Sequence, residues 1–320
     1  MRVFITGANG FIGRALAERY HGEGAEVGGV DITADESRGI VAGDVSAPGP
    51  WQHELAGADL VIHTAAIVSN AFDLSTSWKV NVLGTRRVLD AAAEAGVERF
   101  VHFSSVRAFS DLGYPDGVDE RHPVRPDGNP YVDTKIASEQ VVLQAHAAGE
   151  ARCTVIRPGD VYGPGSRPWT LLPVEVIKTN QFLLPAMGRG VFSPIYVEDL
   201  VEGVTLAAAE PAAAGEVLTI SSGVGVTCAE FFSHYYRMLG KRGPVCLPTA
   251  VAVPLASAAG AIARLRGQES EINAVSMRYL ARRGTYSIDK ARALLGYEPR
   301  MSLAEGMLRT EGWLREEGLV

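Results

Sequence analysis

Arg2-Val3-Phe4-Ile5-Thr6-Gly7-Ala8-Asn9-Gly10-Phe11-Ile12-Gly13 is the stretch that decides the fold. Val3-Phe4-Ile5 reads as a short apolar strand, the glycines as a turn, and the residues through Ala15 to Tyr20 as a helix. The first glycine permits the tight turn, the second lets a pyrophosphate approach the backbone, and the third lets helix and strand pack closely. A helix opening on such a turn points its unpaired N–H groups at the phosphates. A glycine triplet alone is a weak signal, and the strand–turn–helix context strengthens it. So does Asp31, which ends the next predicted strand, Glu26–Asp31, eighteen positions after Gly13. A carboxylate there accepts hydrogen bonds from ribose hydroxyls and repels a 2'-phosphate. The nearest arginine beyond it is Arg38. These residues predict a dinucleotide cofactor, NAD in preference to NADP.

Outward from that loop, strand-like and helix-like segments alternate. Leu60–His63 and Arg99–Ser104 read as strands, Asn81–Ala95 and Tyr131–Ala147 as helices, and Thr154–Arg157 as a further strand. Apolar strands alternating with helices signal a parallel sheet covered on both faces. After Tyr162 the pattern breaks at Gly163-Pro164-Gly165 and Arg167-Pro168. It returns at Ser193–Val197, followed by a helix at Glu198–Ala209 and a strand at Val217–Ile220. Thr227, with Glu230 three residues on, predicts a capped helix start. The chain ends in an amphipathic stretch, Ser302–Glu317. The expected fold class is α/β, a doubly wound parallel sheet with a smaller, interleaved, mostly helical lobe. Residues 1–162 form the dinucleotide-binding domain, rejoined by 193–222; residues 163–192 and 223–320 form the substrate-binding lobe.

Bulk composition narrows the classes. Hydrophobic residues make up 47% of the chain and charged residues 21%, enough apolar material for a packed core. The net charge of -7 repels phosphate backbones, so no nucleic-acid partner is expected. Cys153, Cys228 and Cys246 are odd in number and scattered, which fits free thiols in a reducing, cytoplasmic compartment, and no metal site is expected. Residues 245–263 carry no charge, but the stretch is alanine-rich and holds Pro248 and Pro254, so packing on the protein is expected rather than stable membrane insertion.

Tyr131 and Lys135 lie four apart on a predicted helix and share a face. A neighbouring ammonium favours a phenolate and is expected to lower the tyrosine pKa. The pair can then exchange a proton with a hydroxyl or carbonyl while hydride moves to or from nicotinamide. Ser104 and Ser105, at the end of the Phe100–Phe103 strand, are the candidate partners.

Further stations fall in order along the chain: Gly43-Asp44-Val45, His63-Thr64-Ala65-Ala66, Val80-Asn81-Val82-Leu83-Gly84-Thr85 and Arg157-Pro158-Gly159-Asp160-Val161-Tyr162-Gly163-Pro164. With the glycine spacing and the Tyr131–Lys135 pair, they resemble the extended short-chain dehydrogenase/reductase family from Met1 to about Asp199, with an echo at Tyr286–Pro299. The resemblance implies a Rossmann-type sheet and a set of roles. Gly7, Asn9, Gly10, Phe11, Ile12, Gly13, Asp31, Asp44, Val45, Thr64, Ala65, Ala66, Ser104, Tyr131, Lys135, Pro158, Gly159 and Val161 would bind the cofactor. Ser105, counted back from Phe109, would join Tyr131, Lys135 and Asn81 in catalysis. Asp160 stands where many relatives carry asparagine; it is either a substrate contact or a structural carboxylate paired with Arg157 or Arg167.

Departures from the pattern narrow the chemistry. Nucleotide-sugar dehydratases place an Asp-Glu pair after the hydroxyl residue, whereas Val106 and Arg107 follow Ser105. Nucleotide-sugar epimerases usually carry an arginine for the diphosphate where this chain has Phe192. Ser193–Leu200 and Tyr286–Ala291 look most like the 3β-hydroxysteroid dehydrogenase-like branch. The expected activity is NAD-dependent interconversion of a secondary alcohol and a ketone on a largely apolar small molecule. The alternatives are a nucleotide-sugar epimerase and a cofactor-sensing regulator, the latter argued against by the Tyr-Lys pair. Trp169, Leu171, Leu172, Phe182, Leu183, Phe192, Phe231 and Met238 are the expected apolar lining, with no arginine cluster. The resemblance also implies a homodimer through helices 81–95 and 131–147.

Overall fold

The computed structural model describes residues 1–111, 113–265, 271 and 273–320. Its central sheet is built from β1 (Arg2–Thr6), β2 (Glu26–Asp31), β3 (Ile40–Ala42), β4 (Leu60–His63), β5 (Arg99–Phe103), β6 (Arg152–Pro158) and a last strand, Val217–Ile220. All seven run parallel, in the order Val217–Ile220, β6, β5, β4, β1, β2, β3. Strand order therefore reverses between β1 and β4, which opens a crevice at their carboxyl ends.

The apolar runs explain this layering. Val3 and Ile5 of β1, Leu60 and Ile62 of β4, and Val101 and Phe103 of β5 enter one core. Phe4, Val61 and Phe100, one position out of step on the same strands, enter the other. Alternate side chains point to opposite faces of a strand, so a strand buried on both faces needs continuous hydrophobicity. The first core continues into the C-terminal half through Phe192, Phe231 and Phe232.

Most predicted elements form where expected, and the differences have local causes. The short edge strand β3 had no periodicity long enough to read. The returning segment Pro194–Tyr196 pairs with Asp160–Tyr162 in a separate two-stranded ladder instead of entering the main sheet. The helix expected from Asn81 opens with a π-helical stretch at Lys79–Gly84 before Thr85–Glu94. The charge-free segment forms the helix Thr249–Leu265, which buries Ala252, Ala256 and Gly260 and packs against the helix Ala274–Leu280. Among the described residues no helix is long and apolar enough to cross a membrane.

Candidate active site

The glycine loop lies in the crevice between β1 and β4. Gly7 has a left-handed φ of 68°, and a Cβ there would lie 2.8 Å from the Ala65 nitrogen. A Cβ at Gly13 would lie 2.2 Å from the Gly7 carbonyl oxygen, so only glycine lets the helix start this close to the strand. The Asp31 carboxylate holds the loop from the neighbouring strand, accepting from the Asn9 N–H at 2.8 Å and the Ile32 N–H at 2.7 Å. Thr64 Oγ1 donates to the Thr6 carbonyl at 2.7 Å, tying β4 to β1 at the crevice floor. Asn9, Gly10, Phe11, Ile12, Asp31, Thr64, Ala65 and Ala66 keep accessible surface along this groove. Asp44 is exposed at its side, whereas Val45 is buried in the core. His63 is buried too, bonded to Thr6 Oγ1 at 2.7 Å and Thr85 Oγ1 at 3.0 Å, and burial lowers its pKa to about 3; it is part of the scaffold.

Arg38, the nearest arginine beyond Asp31 in the sequence, reaches this groove. Its Nη1 donates to Asn9 Oδ1 at 3.3 Å, and its Nη2 is buried with no partner among the described residues.

Tyr131 sits in the first turn of the helix Pro130–Ala147, fixed by Asn129, whose Oδ1 accepts from the Tyr131 N–H at 3.0 Å. Lys135 lies one turn on, and its Nζ donates to the Phe103 carbonyl at the end of β5, at 2.7 Å. Burial lowers the Lys135 pKa to about 8, with the Glu139 carboxylate working in the opposite direction. The expected lowering at Tyr131 is not found. Burial pushes its phenol up, opposed by a hydrogen bond with Ser105 and by the nearby Arg107 guanidinium, and Lys135 is not among the causes. Helical spacing shows that two side chains share a face; it does not show how deeply the face is buried.

Structure separates the two serines. Ser105 stands close enough to Tyr131 to oppose the upward push of burial on its phenol, and the Ser105 Oγ accepts from the Arg107 N–H at 3.1 Å. Ser104 turns away, its Oγ donating to Glu139 Oε1 at 2.5 Å and its N–H to the Ile156 carbonyl at 2.8 Å. Asn81 is equally committed: Oδ1 accepts from the Ile67 N–H at 2.8 Å, and Nδ2 donates to the Ile67 carbonyl at 3.1 Å and Thr134 Oγ1 at 3.0 Å.

Asp160 is a structural carboxylate, though not with either expected arginine. It pairs with Arg282 Nη2 at 2.7 Å, accepts from the Tyr279 hydroxyl, and accepts from the Ser193 N–H at 2.9 Å. Arg157 pairs with Glu139 instead, and Arg167 with Glu175. Beside it, Pro158 is buried, and Gly159 packs so closely that a Cβ would lie 2.7 Å from the Ser193 carbonyl oxygen. The Val161 carbonyl accepts from Ser166 Oγ at 2.9 Å.

Sequence reasoning missed the polar wall beside Tyr131. Arg107 places its guanidinium 5.1 Å from the Tyr131 ring centroid and 4.7 Å from that of Tyr279. Asp111 grips that guanidinium, and Asn70 Oδ1 accepts from its Nη1 at 3.0 Å. Nearby, Asp111, Tyr114, Thr249, Arg278, Arg282 and Arg283 line an open cleft of about 380 Å³. Three arginines thus meet where none was expected. Phe192 and Phe231, by contrast, are fully buried core residues, their rings 4.2 Å apart.

The family model of the NAD dependent epimerase/dehydratase family matches residues 3–221, more than half of the chain. The chain belongs to this family. It is an NAD(P)-dependent enzyme of the extended short-chain dehydrogenase/reductase type. Among its relatives is the 4-hydroxy-2-methyl-3-oxo-4-farnesyl-3,4-dihydroquinoline-1-oxide ketoreductase of Stigmatella aurantiaca, 30% identical over 96% of this chain and 95% of that protein. A UDP-glucose 4-epimerase of Mycolicibacterium smegmatis is 30% identical over 99% of both chains. Proteins named 3β-hydroxysteroid dehydrogenases also match, placing the 3β-hydroxysteroid dehydrogenase-like branch among this family member's kin. The solved structure of MoeE5 with UDP-glucuronic acid and NAD superposes with a TM-score of 0.80 at 25% identity, covering 99% of this chain and 100% of that one.

Proposed function

We propose that this protein is an NAD-dependent oxidoreductase that interconverts a secondary alcohol and a ketone on a largely apolar small molecule. One observation carries the reading: Tyr131, Lys135 and Ser105 meet at the end of β5, beside the glycine groove, with Arg107 where elimination chemistry would need a carboxyl group.

The loop suits a dinucleotide, because Gly7 and Gly13 leave backbone, not side chains, facing the place where a pyrophosphate approaches. Asp31 would hold the adenosine ribose, and Lys135 the nicotinamide ribose, since an ammonium has three donors and Phe103 takes one. The nicotinamide supplies or accepts the hydride. Ser105 would hold the substrate oxygen, and the Tyr131 hydroxyl would give a proton to that oxygen in reduction or take one in oxidation. Lys135 is charged below about pH 8, and the groups that oppose the upward push of burial on the Tyr131 phenol are Ser105 and Arg107.

Asp31 supports a preference for NAD over NADP, while Arg38 is the group a 2'-phosphate would use. The apolar substrate is supported by the farnesylated ketone in the name of the Stigmatella relative. The mostly helical lobe of residues 163–192 and 223–320 would hold it. A homodimer through the helices around 81–95 and 131–147 is supported by Leu74, Trp78 and Leu83, which stay 48%, 41% and 49% exposed beside them. Two buried free thiols, Cys153 and Cys228, support a cytoplasmic setting.

The arginines of the cleft favour a second reading, a nucleotide-sugar epimerase. Against it, the buried member, Arg282, is already paired with Asp160, and a second anion would compete with that carboxylate. Calorimetry with UDP and GDP in the presence of NAD tests the choice. No heat of binding is expected; micromolar affinity for either nucleotide would replace the first reading with the second.

A further inference from the structure

The helix Thr249–Leu265 has an unusual outer face. Val251, Leu255, Ile262 and Leu265 are 45%, 51%, 50% and 88% exposed, and with exposed Ala258 they recur at alternating steps of four and three. That spacing lines them up along one side of a helix. The opposite side packs inward through Ala252, Ala256 and Gly260. Among the described side chains, the exposed positions of this helix hold a single polar group, Ser257, and its hydroxyl donates to the Val253 carbonyl at 2.8 Å. Among the described side chains, the face therefore offers solvent no charge and no free donor. At the helix's N-terminal end, Val245 and Met187 are also 54% and 47% exposed. Contiguous apolar surface of this kind marks an interaction site.

Charge says what covers it. Between Lys241 and Arg283 the sequence carries seven lysines and arginines against Glu269 and Glu271, a local excess of five positive charges in a chain whose net charge is -7. Arg242, Arg278 and Arg283 are exposed and make no ion pair among the described residues. Arg278 and Arg283 line one cleft with Thr249 at the start of this helix, and an apolar helical face with free cations at its end suits the boundary of an anionic bilayer, where apolar side chains enter the acyl region and cations meet the headgroups. A second copy of the chain fits less well, because two-fold pairing would set the same basic border against itself.

We propose that Thr249–Leu265 is an interfacial helix that docks the protein on an anionic lipid surface without crossing it. The cleft adds a consequence. Thr249, the first residue of this helix, lines the same opening as Arg278, Arg282 and Arg283, so a docked protein would present that opening near the lipid.

The test is co-sedimentation of the whole protein with vesicles of phosphatidylcholine alone and of phosphatidylcholine mixed with phosphatidylglycerol. Partition into the anionic vesicles is expected to be about tenfold or more above the neutral ones and to fall as salt rises. The double substitution Leu255→Glu/Ile262→Glu is expected to reduce it by about tenfold or more. Leu265→Glu, at the most exposed position, is expected to reduce it severalfold, with melting temperature and NAD affinity unchanged in both variants. Absence of pelleting with either vesicle, or pelleting that the charged variants leave unchanged, overturns the proposal.

Discussion

Arg157 and Arg282 each bury a guanidinium against one carboxylate, with side-chain exposures of 4% and 1%, yet the two pairs are built differently. Arg157 meets Glu139 through two parallel contacts, Nε at 2.8 Å and Nη2 at 2.7 Å, and the same carboxylate takes the Ser104 hydroxyl. Helix 130–147, β5 and β6 are thereby locked together directly beneath Ser105 and Lys135. Arg282 gives Asp160 a single contact, and its Nε and Nη1 have no hydrogen-bond acceptor among the described residues. Its guanidinium lies 3.6 Å from the Tyr279 ring centroid, so an aromatic face takes the place of a second acceptor. Each guanidinium keeps N–H groups without an acceptor among the described residues, Nη1 in Arg157 and Nε with Nη1 in Arg282, and Arg157 too stands 4.7 Å from an aromatic centroid, that of Phe109. The difference is therefore a two-pronged contact at Glu139, shared with the Ser104 hydroxyl, against a single guanidinium contact at Asp160.

Breaking the closed pair should cost the most. Glu139→Ala leaves the Arg157 charge buried and uncompensated, and a loss of about 3–5 kcal/mol in urea unfolding is expected. Asp160→Asn, which still offers Arg282 and Tyr279 an acceptor, should cost about 1–3 kcal/mol. Equal losses would erase the distinction between the two pairs.

Tyr131→Phe removes the proton carrier while keeping the ring. A fall of about a hundredfold or more in kcat is expected, with NAD affinity in fluorescence titration nearly intact. Substantial turnover at neutral pH would remove Tyr131 from that role.

The pH profile sharpens the same half of the comparison. Burial disfavours the charged form of Lys135, so its ammonium is present below about pH 8 and is lost as pH rises through that value. The kcat for ketone reduction should therefore decline above about pH 8, by about tenfold per unit once the neutral amine dominates. A flat profile through that range would show that the Lys135 charge does not serve the reaction. His63, with a pKa of about 3, should contribute no limb near neutrality.

The smallest expected effect is at the cofactor's other end. Asp31→Ala should shift the NADP to NAD affinity ratio by about tenfold toward NADP, because the repelling carboxylate goes and Arg38 stays. An unchanged ratio in titrations with both reduced cofactors would mean that Asp31 only braces the Asn9 loop.

The same division governs what the sequence reveals. Strands buried on both faces, the glycine contacts of Gly7 and Gly13, and the Tyr131–Lys135 spacing are local, and each could be read from consecutive residues. The Arg282–Asp160 pair joins positions 122 apart, and nothing in either neighbourhood marks the other. Phe192 and Phe231 fail as pocket lining because hydrophobicity alone does not distinguish the wall of a site from the core behind it. The arginine cluster escaped for the converse reason: Arg278, Arg282 and Arg283 look like scattered surface charges until the end of helix 274–280 brings them to one cleft.

The central claim, that Tyr131 drives alcohol–ketone chemistry on an apolar substrate, is tested most directly by following nicotinamide absorbance. Sterol, prenylated and aromatic ketones and nucleotide sugars would be offered side by side to the native protein and to Tyr131→Phe. Steady NADH consumption with an apolar ketone, lost in Tyr131→Phe, is the expected result. Nucleotide-sugar epimerisation without net NADH consumption, and no turnover of any apolar ketone, would contradict it.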